Sequence, residues 1–178
     1  NVSLMQLIPH FQRQTCVPAT LAARPTLLLV APASPKLLPD NPAKMSFTLH
    51  PTLAKDTFLV ARVGSLQIRL VNDSRFFWLM IVPEISATEL HDLDEKTAQS
   101  LWKLARMLGK ALKQHCDASK INSAAIGNMV PQLHFHIVAR HTDDAAWPNP
   151  IWGHGTSEPL SDATKTARIS TVQSWLGK

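Results

Sequence analysis

The amino-acid sequence predicts an α+β fold, with an antiparallel sheet of about five strands, one long helix and a C-terminal helix. Short β-rich runs come first, a single long amphipathic segment follows, and two more strand-like runs come after it. Strands that are grouped in this way, rather than alternating regularly with helices, are typical of an antiparallel sheet.

The composition is that of a folded, globular protein. The chain has 178 residues, enough for one domain with a core, and 45% of them are hydrophobic while 17% are charged. No apolar run approaches the roughly 20 residues that cross a bilayer, so we expect no membrane partner. Cys16 and Cys116 match no metal or redox spacing, which predicts a reduced, cytoplasmic protein.

The first 44 residues differ in composition from the rest. Eight of the 13 prolines fall within the first 51 residues, and proline disrupts both helices and sheet ladders. We expect residues 1–44 to be a proline-rich extension, disordered or non-native, upstream of a natural start at Met45. Residues 45–178 are then the folded domain. Most of the charge of +5 comes from four basic residues and one acidic residue in the extension, so we expect no nucleic-acid partner.

The first three predicted strands follow Met45. The runs TFLVARV and LQIRLV are separated only by Gly64-Ser65. Glycine at the first of two loop positions suits a type II′ hairpin. The next run, RFFWLMIVP, is almost continuously apolar and ends at Pro83, which predicts a central strand buried on both faces.

The long helix is predicted from apolar residues at helical spacing: Ala98, Leu101, Leu104, Ala105, Leu108 and Leu112. Asp92, with Glu95 three residues later, is expected to cap its start, and its end is expected at residues 115–117. INSAAIG and QLHFHIVAR are predicted strands, and the proline-rich AWPNPIWGHG is a predicted loop. A closing helix is predicted within SDATKTARISTVQSWLGK.

The run QLHFHIVAR carries the most informative side chains. Because side chains alternate across a strand, its apolar residues are expected to anchor one face to the core. The other face would carry Gln132, His134 and His136. Three interpretations stay open from the residues alone: polar positions that only face water, two ligands of a metal site, or a histidine nucleophile oriented by its neighbours. A metal site would need further ligands such as His141 or His154.

The same stretch resembles the signature of the histidine-triad (HIT) family. QLHFHIV is similar to that family's three histidines alternating with apolar residues, with Gln132 in the place of the first histidine. Asn122 and Gly127-Asn128 fall where the family has a polar residue at a strand end and a loop before the triad. RFFWLMIVPE and WPNPIWG resemble two further family segments, so the resemblance covers roughly residues 46–155. It looks closest to a bacterial branch with a Gln-x-His-x-His triad.

The resemblance implies an activity and partners as well as a HIT-like fold. HIT proteins are homodimers of α+β protomers that bind nucleotides and hydrolyse or transfer nucleotidyl groups. His134 is then expected to attack the α-phosphorus of a purine nucleotide, such as a dinucleoside polyphosphate or a nucleoside phosphoramidate. His136 is expected to bind the phosphate or help the leaving group take a proton, and Gln132 to orient the site without titrating. No metal is required, although Mg²⁺ can accompany a polyphosphate substrate.

Nucleotide-binding and phosphate-binding residues follow from the same resemblance. Asn128 and the loop backbone at Gly127 are expected to hold phosphate oxygens, with Asn122 also assigned to the site. Asn72 lies near the position where the family has an acidic ribose ligand.

Two departures from the family pattern support an alternative function. Gln132 cannot titrate, and Met129 stands where many HIT proteins have a hydroxyl that contacts phosphate. The alternative is a catalytically weak, purine-nucleotide-binding dimer that acts as a sensor or partner protein.

Overall fold

The computed structural model describes residues 47–177 of the chain, and the expectation about residues 1–44 lies outside this part. Its strands form one antiparallel five-stranded sheet in the order β1-β2-β3-β5-β4. The fold is α+β, as predicted. The elements in chain order are α1 (Pro51–Asp56), β1 (Thr57–Val63), β2 (Leu66–Val71), β3 (Trp78–Pro83), a 3₁₀ turn (Leu90–Asp92), α2 (Glu95–Cys116), β4 (Lys120–Ala125), β5 (Phe135–Arg140) and α3 (Asp162–Trp175).

The predicted hairpin and central strand are both confirmed. β1 and β2 pair with Val63 opposite Leu66, and Gly64 takes a φ of 59° at the first loop position. A side chain rarely adopts that conformation, which explains the glycine. β3 lies between β2 and β5, and Leu79 and Ile81 are completely buried there.

The long helix α2 begins later than predicted, and the expectation that Asp92 caps it was wrong. Asp94 is the N-cap, because its carboxylate accepts a hydrogen bond from the backbone N–H of Thr97 at 2.9 Å. The carboxylate of Asp92 accepts from the backbone N–H of Glu89 at 2.9 Å and so closes the preceding 3₁₀ turn. Two aspartates two residues apart both suit a helix start, and the extended backbone of Leu93 separates the two turns.

One side of the sheet, which we call the helix face, packs against α2 and α3. The apolar stripe predicted for α2 is buried there except for the partly exposed Ala98. Val172 of α3 joins it, so the predicted closing helix is confirmed. Each fully buried leucine in this cluster contributes about 1.5–3 kcal/mol to folding. The main members are Ile68, Leu70, Leu79, Ile81, Leu101, Leu104, Leu108, Leu112 and Ile137.

The opposite side, which we call the loop face, is covered by α1 and by irregular segments. Two smaller apolar clusters lie here, one around Leu53 and Met80 and the other around Val138 and Ile151. Between them the sheet carries buried polar residues, including Arg69 and the two histidines of the QLHFHIVAR run. No helix within residues 47–177 has the length and apolar character needed to span a membrane.

The strand that carries the histidines is shorter than predicted. The ladder of β5 begins at Phe135 rather than at Gln132, with His136 paired to Met80 on one side and Ala124 on the other. The backbone N–H of Leu133 instead bonds to the carbonyl of Ala87, outside the sheet, at 2.9 Å. The three residues before β5 therefore approach the sheet from the side, and strict alternation does not apply to them.

Candidate active site

A cavity of about 820 Å³ opens on the loop face of the sheet. Four segments form its walls, and His134 and His136 lie between them together with Trp78 and Met80 of β3. A volume of this size is within the range of small-molecule sites. The four wall segments fall within residues 53–57, 71–75, 126–130 and 151–159.

His134 is held in one orientation by the backbone beside it. Its side chain is buried, with the residue only 6% exposed, and Nδ1 lies 2.7 Å from the carbonyl oxygen of Gln132. A carbonyl oxygen can only accept, so Nδ1 carries the hydrogen and donates it. In the neutral ring Nε2 is then left with an unshared electron pair, which is the form of imidazole that attacks electrophiles.

His136 has the opposite arrangement. The residue is 4% exposed, and the indole N–H of Trp78 donates to its Nδ1 at 3.0 Å. Because an indole nitrogen is only a donor, Nδ1 is the unprotonated nitrogen and Nε2 carries the hydrogen. Burial, with a smaller effect from the nearby His134, lowers the pKa of His136 to about 3, although a hydrogen bond with the Ile126 backbone opposes both. His136 is therefore uncharged at neutral pH.

The two imidazoles form a pair with complementary roles. Their ring centroids are 4.8 Å apart and their planes are almost perpendicular. His134 offers a lone pair, and His136 offers an N–H that it shares with the Ile126 backbone and that carries no positive charge. Such a pair can deliver a nucleophile to an electrophilic centre while the second ring donates a hydrogen bond beside it.

Gln132 lies outside the cavity wall, although the sequence placed it on one face with the two histidines. Its Oε1 accepts from the backbone N–H of His50 at 2.9 Å, and its Nε2 donates to the carbonyl of Thr48 at 3.0 Å. The side chain therefore fastens the segment before α1 to the residues that carry His134. The difference from the prediction arises because Gln132 precedes the ladder of β5.

The loop after β4 reaches the cavity through Asn128 but not through Gly127. Asn128 and Met129 line the cavity, and Met129 is 93% exposed at its rim. A Cβ atom on Gly127 would lie 3.3 Å from the carbonyl oxygen of Val130, so a glycine suits this tight turn. Gly127 shapes the loop that presents Asn128.

The other two predicted asparagines are held by the protein itself. Asn122 in β4 lies away from the cavity, where its Oδ1 accepts from Nη1 of the buried Arg140 at 2.6 Å. Asn72 does line the cavity, but its Oδ1 accepts from the backbone N–H of Leu160 at 2.9 Å. Asn72 thus fixes the approach to α3 against the turn between β2 and β3.

A largely buried ion pair in the cavity wall was not predicted from the sequence. Nη2 of Arg75 lies 2.7 Å from Oδ2 of Asp73, and Nε of the same arginine donates to Oδ1 at 2.9 Å. Burial raises the pKa of the Asp73 carboxyl, but the hydrogen bonds and charge of Arg75 outweigh burial and bring it below its usual range. Both residues belong to the NDSR turn, where an acid and a base two residues apart were the available signal.

Trp152, in the predicted proline-rich loop AWPNPIWGHG, also lines the cavity. Its ring meets that of His136 edge to face, with centroids 5.5 Å apart. Trp147 from the same loop lies outside the wall, beneath the guanidinium of Arg140.

The described residues contain no group of three or more His, Cys, Asp or Glu side chains that could hold a metal ion. Of the two further histidines that a metal site would need, His154 lines the cavity and His141 does not.

Comparison with known proteins agrees with this geometry. A family model described as "HIT domain" matches residues 54–143. Three solved histidine-triad proteins are similar along most of the chain. The first, from Sinorhizobium meliloti, is 34% identical over 72% of this chain and 96% of its own, with a TM-score of 0.71. The second, from Bradyrhizobium japonicum, is 35% identical over 72% of this chain and 97% of its own, with a TM-score of 0.70.

The third, from Marinobacter aquaeolei, is 32% identical over 74% of this chain and 97% of its own, with a TM-score of 0.72. Among curated proteins no sequence matches. The domain match covers half of the chain, and these relatives exceed 30% identity across more than two thirds of it. The chain therefore belongs to the histidine-triad family.

Proposed function

We propose that this protein is a nucleotide hydrolase or nucleotidyl transferase in which Nε2 of His134 attacks an α-phosphorus. The substrate class is a purine dinucleoside polyphosphate or a purine nucleoside phosphoramidate. One observation carries the proposal: the 2.7 Å hydrogen bond from Nδ1 of His134 to the carbonyl of Gln132, which leaves Nε2 unprotonated beside a nucleotide-sized cavity.

The proposed first step forms a bond between Nε2 of His134 and the α-phosphorus. The bond from phosphorus to the bridging oxygen or nitrogen breaks, and the leaving group keeps the electron pair and takes a proton from solvent. The imidazole then carries positive charge, and its Nδ1–H donates more strongly to the Gln132 carbonyl. Hydrogen bonds that involve a charged group are worth about 1.5–3 kcal/mol, so this contact stabilises the intermediate.

The second step returns His134 to its starting form. Water or another acceptor attacks phosphorus and gives up its proton to solvent, the bond to Nε2 breaks, and the electron pair returns to the ring. Hydrolysis and transfer differ only in the acceptor, so both reactions use the same residues.

His136 and Asn128 have supporting roles in this proposal. With a pKa of about 3, His136 is uncharged at neutral pH, so we propose that its Nε2–H, shared with the Ile126 backbone, donates a hydrogen bond to the phosphate. Asn128, presented at the cavity wall by the turn at Gly127, is positioned to donate to a non-bridging oxygen. Asn72, in the cavity wall, is proposed to border the nucleoside. No metal takes part in either step, and Mg²⁺ enters only as a companion of a polyphosphate substrate.

Gln132 and Asn122 support the site indirectly in this proposal. Gln132 supplies the backbone carbonyl that orients His134, while its side chain holds the segment before α1. Asn122 binds Arg140, which also pairs with Asp144 at 2.7 Å and so ties β5 to the loop that follows it.

The test is turnover of a panel of labelled adenine nucleotides, combined with detection of an acid-labile phosphohistidine. We expect wild type to release nucleoside monophosphate and His134→Ala to lose at least about 10³-fold in rate, with no labelled intermediate. His141→Ala is the matched control, because His141 lies outside the cavity, and it should keep full activity. Equal product release by wild type and His134→Ala would contradict the nucleophile assignment. Tight binding of AMP without turnover of any substrate would favour the sensor function instead.

A homodimer completes the proposal. Within the described residues, β4 is an edge strand of the sheet, and Trp102 of α2 is 49% exposed with its ring against Phe135. An exposed tryptophan beside an edge strand is a favourable surface for a second copy. We expect Trp102→Arg to halve the mass measured by light scattering, whereas the exposed Lys110→Ala on the same helix should leave it unchanged. A wild-type protein that is monomeric at micromolar concentration would contradict this part.

We also propose a cytoplasmic location, which the free thiol of Cys116 supports. Fractionation of the source cells, followed by immunodetection, tests it. Recovery in an oxidising compartment would contradict it.

A further inference from the structure

The indole nitrogen of Trp152 has no hydrogen-bond partner. Within residues 47–177 it is the one buried side-chain nitrogen or oxygen without such a partner. A buried donor that is left unpaired costs folding free energy, and nearly all such groups in folded proteins are paired. The folded chain therefore provides no acceptor for this N–H, and an acceptor from a bound molecule would pair it.

The location of Trp152 indicates where that acceptor would come from. The residue lines the cavity, and its ring contacts His136, whose ring in turn contacts His134. Trp152 therefore borders the same part of the cavity as the proposed nucleophile. An acceptor that reaches its N–H would lie close to the electrophilic centre.

Trp78 shows why the acceptor for Trp152 is not His136. Both tryptophans pack against His136, and their own centroids are 6.3 Å apart. The N–H of Trp78 already occupies Nδ1 of His136, which is the acceptor nitrogen of that ring. No second acceptor remains on His136 for Trp152.

The segment that carries Trp152 is attached to the opposite cavity wall. The carbonyl of His154 accepts from Nη1 of Arg75 at 3.0 Å. Gly153, between Trp152 and His154, has a φ of 83°, which glycine adopts readily. The indole is thus carried on an anchored loop. The ring that bears the unpaired N–H forms part of the cavity wall.

We propose that Trp152 is a ligand-binding residue whose indole N–H donates to a phosphate oxygen of the bound nucleotide. The identity of the ligand rests on the proposed function. A phosphate oxygen is a strong acceptor, and an uncharged donor in this position binds it without adding charge beside His134. The acceptor that the chain does not provide for this N–H is then supplied by the substrate.

The experiment compares Trp152→Phe with wild type by calorimetric titration with AMP and by competition titration with adenosine, which lacks the phosphate. Phenylalanine keeps an aromatic ring but removes the N–H. We expect the affinity for AMP to fall about 10-fold or more, as for loss of a hydrogen bond to a charged group, and the affinity for adenosine to stay within about 2-fold. Trp147→Phe is the matched control, since it makes the same change in the same loop outside the cavity.

The size difference between tryptophan and phenylalanine is controlled by a second variant. Replacing residue 152 with β-(3-benzothienyl)alanine exchanges the N–H for sulfur and keeps both rings. We expect this variant to show the same selective loss for AMP while its free form keeps at least the wild-type thermal stability. An equal loss of affinity for AMP and for adenosine, or no loss of affinity for AMP, overturns the proposal. Failure of wild type to bind AMP at all would instead contradict the proposed function.

Discussion

The two faces of the sheet are built in different ways. The helix face is a continuous apolar cluster in which leucines of α2 meet β-branched residues of the strands. The loop face combines small apolar clusters with buried polar groups, among them Gln67, Arg69 and Arg140. The first face is held by burial of apolar surface and the second by specific hydrogen bonds.

Arg69 illustrates what holds the loop face. Its Nε donates to Oγ1 of Thr57 at 2.6 Å, and its Nη1 donates to Oε1 of Gln67 at 2.8 Å. Gln67 in turn donates to Glu84, so a chain of polar contacts crosses the sheet beside the cavity. Burial lowers the pKa of the Arg69 guanidinium, with the charge of Arg62 adding to the effect. The helix face therefore provides stability, whereas the loop face provides defined positions for polar chemistry.

The largest effect on stability is expected from the helix face. Leu108→Ala removes a fully buried side chain from the centre of α2 and leaves a cavity, which should lower the free energy of unfolding by about 2–5 kcal/mol. Turnover per folded molecule should be unchanged. Urea denaturation measures the free energy of unfolding, and initial rates at low temperature measure the turnover. Lys110→Ala, on the exposed side of the same helix, should change stability by less than about 0.5 kcal/mol. A loss of turnover in folded Leu108→Ala would show that the faces are coupled.

The next largest effect is the dependence of folding stability on pH that His136 of the loop face causes. The pKa of His136 falls from an ordinary value near 6.5 to about 3 in the folded protein. Between these two values the unfolded chain binds a proton here that the folded chain does not, so stability falls as the pH falls. Only the part of the interval below pH 6.5 contributes, so at about 1.4 kcal/mol per pH unit the step from pH 7 to pH 5 should cost about 2 kcal/mol.

Urea denaturation of wild type and His136→Gln at both pH values isolates this contribution from the other histidines. The variant should lose about 2 kcal/mol less than wild type over the same interval. An equal loss in the two proteins would mean that His136 is not held uncharged by burial.

The smallest effect should come from the clamp that Gln132 forms. Gln132→Glu keeps the oxygen that accepts from His50 but loses the N–H donor to Thr48, which should cost about 1 kcal/mol of unfolding free energy. Hydrogen exchange should speed up in residues 48–56, because that segment is what the amide holds. Gln114→Glu, an exposed change of the same chemistry on α2, should leave exchange there unaltered. A change confined to the histidines, with residues 48–56 still protected, would contradict the clamp.

Much of the fold was predictable from sequence because the features that specify it are local. The Gly64-Ser65 pair fixes a hairpin, and the apolar run ending at Pro83 indicates a strand buried on both faces. The leucine stripe of α2 has helical spacing over about three turns. The cap was misassigned because Asp92 and Asp94 both carry a suitable side chain, and only the path of the backbone at Leu93 decides between them.

The candidate site was predicted less completely because its contacts join distant parts of the chain. Strand alternation led to the expectation that Gln132 would share a face with the histidines, but its partners lie more than 80 residues earlier. Asn122 was assigned to the nucleotide, whereas the structure pairs it with Arg140. Periodicity describes neighbours along an element, and it carries no information on which loop will cover that element.

The central claim is that His134 presents an unprotonated Nε2 to the phosphorus of a nucleotide in the cavity on the loop face. A crystal structure with bound AMP tests it most directly. The account predicts Nε2 of His134 about 3–3.5 Å from the α-phosphorus with Nδ1 still bonded to the Gln132 carbonyl. A phosphate bound elsewhere in the cavity, with His134 turned away from it, would contradict the account.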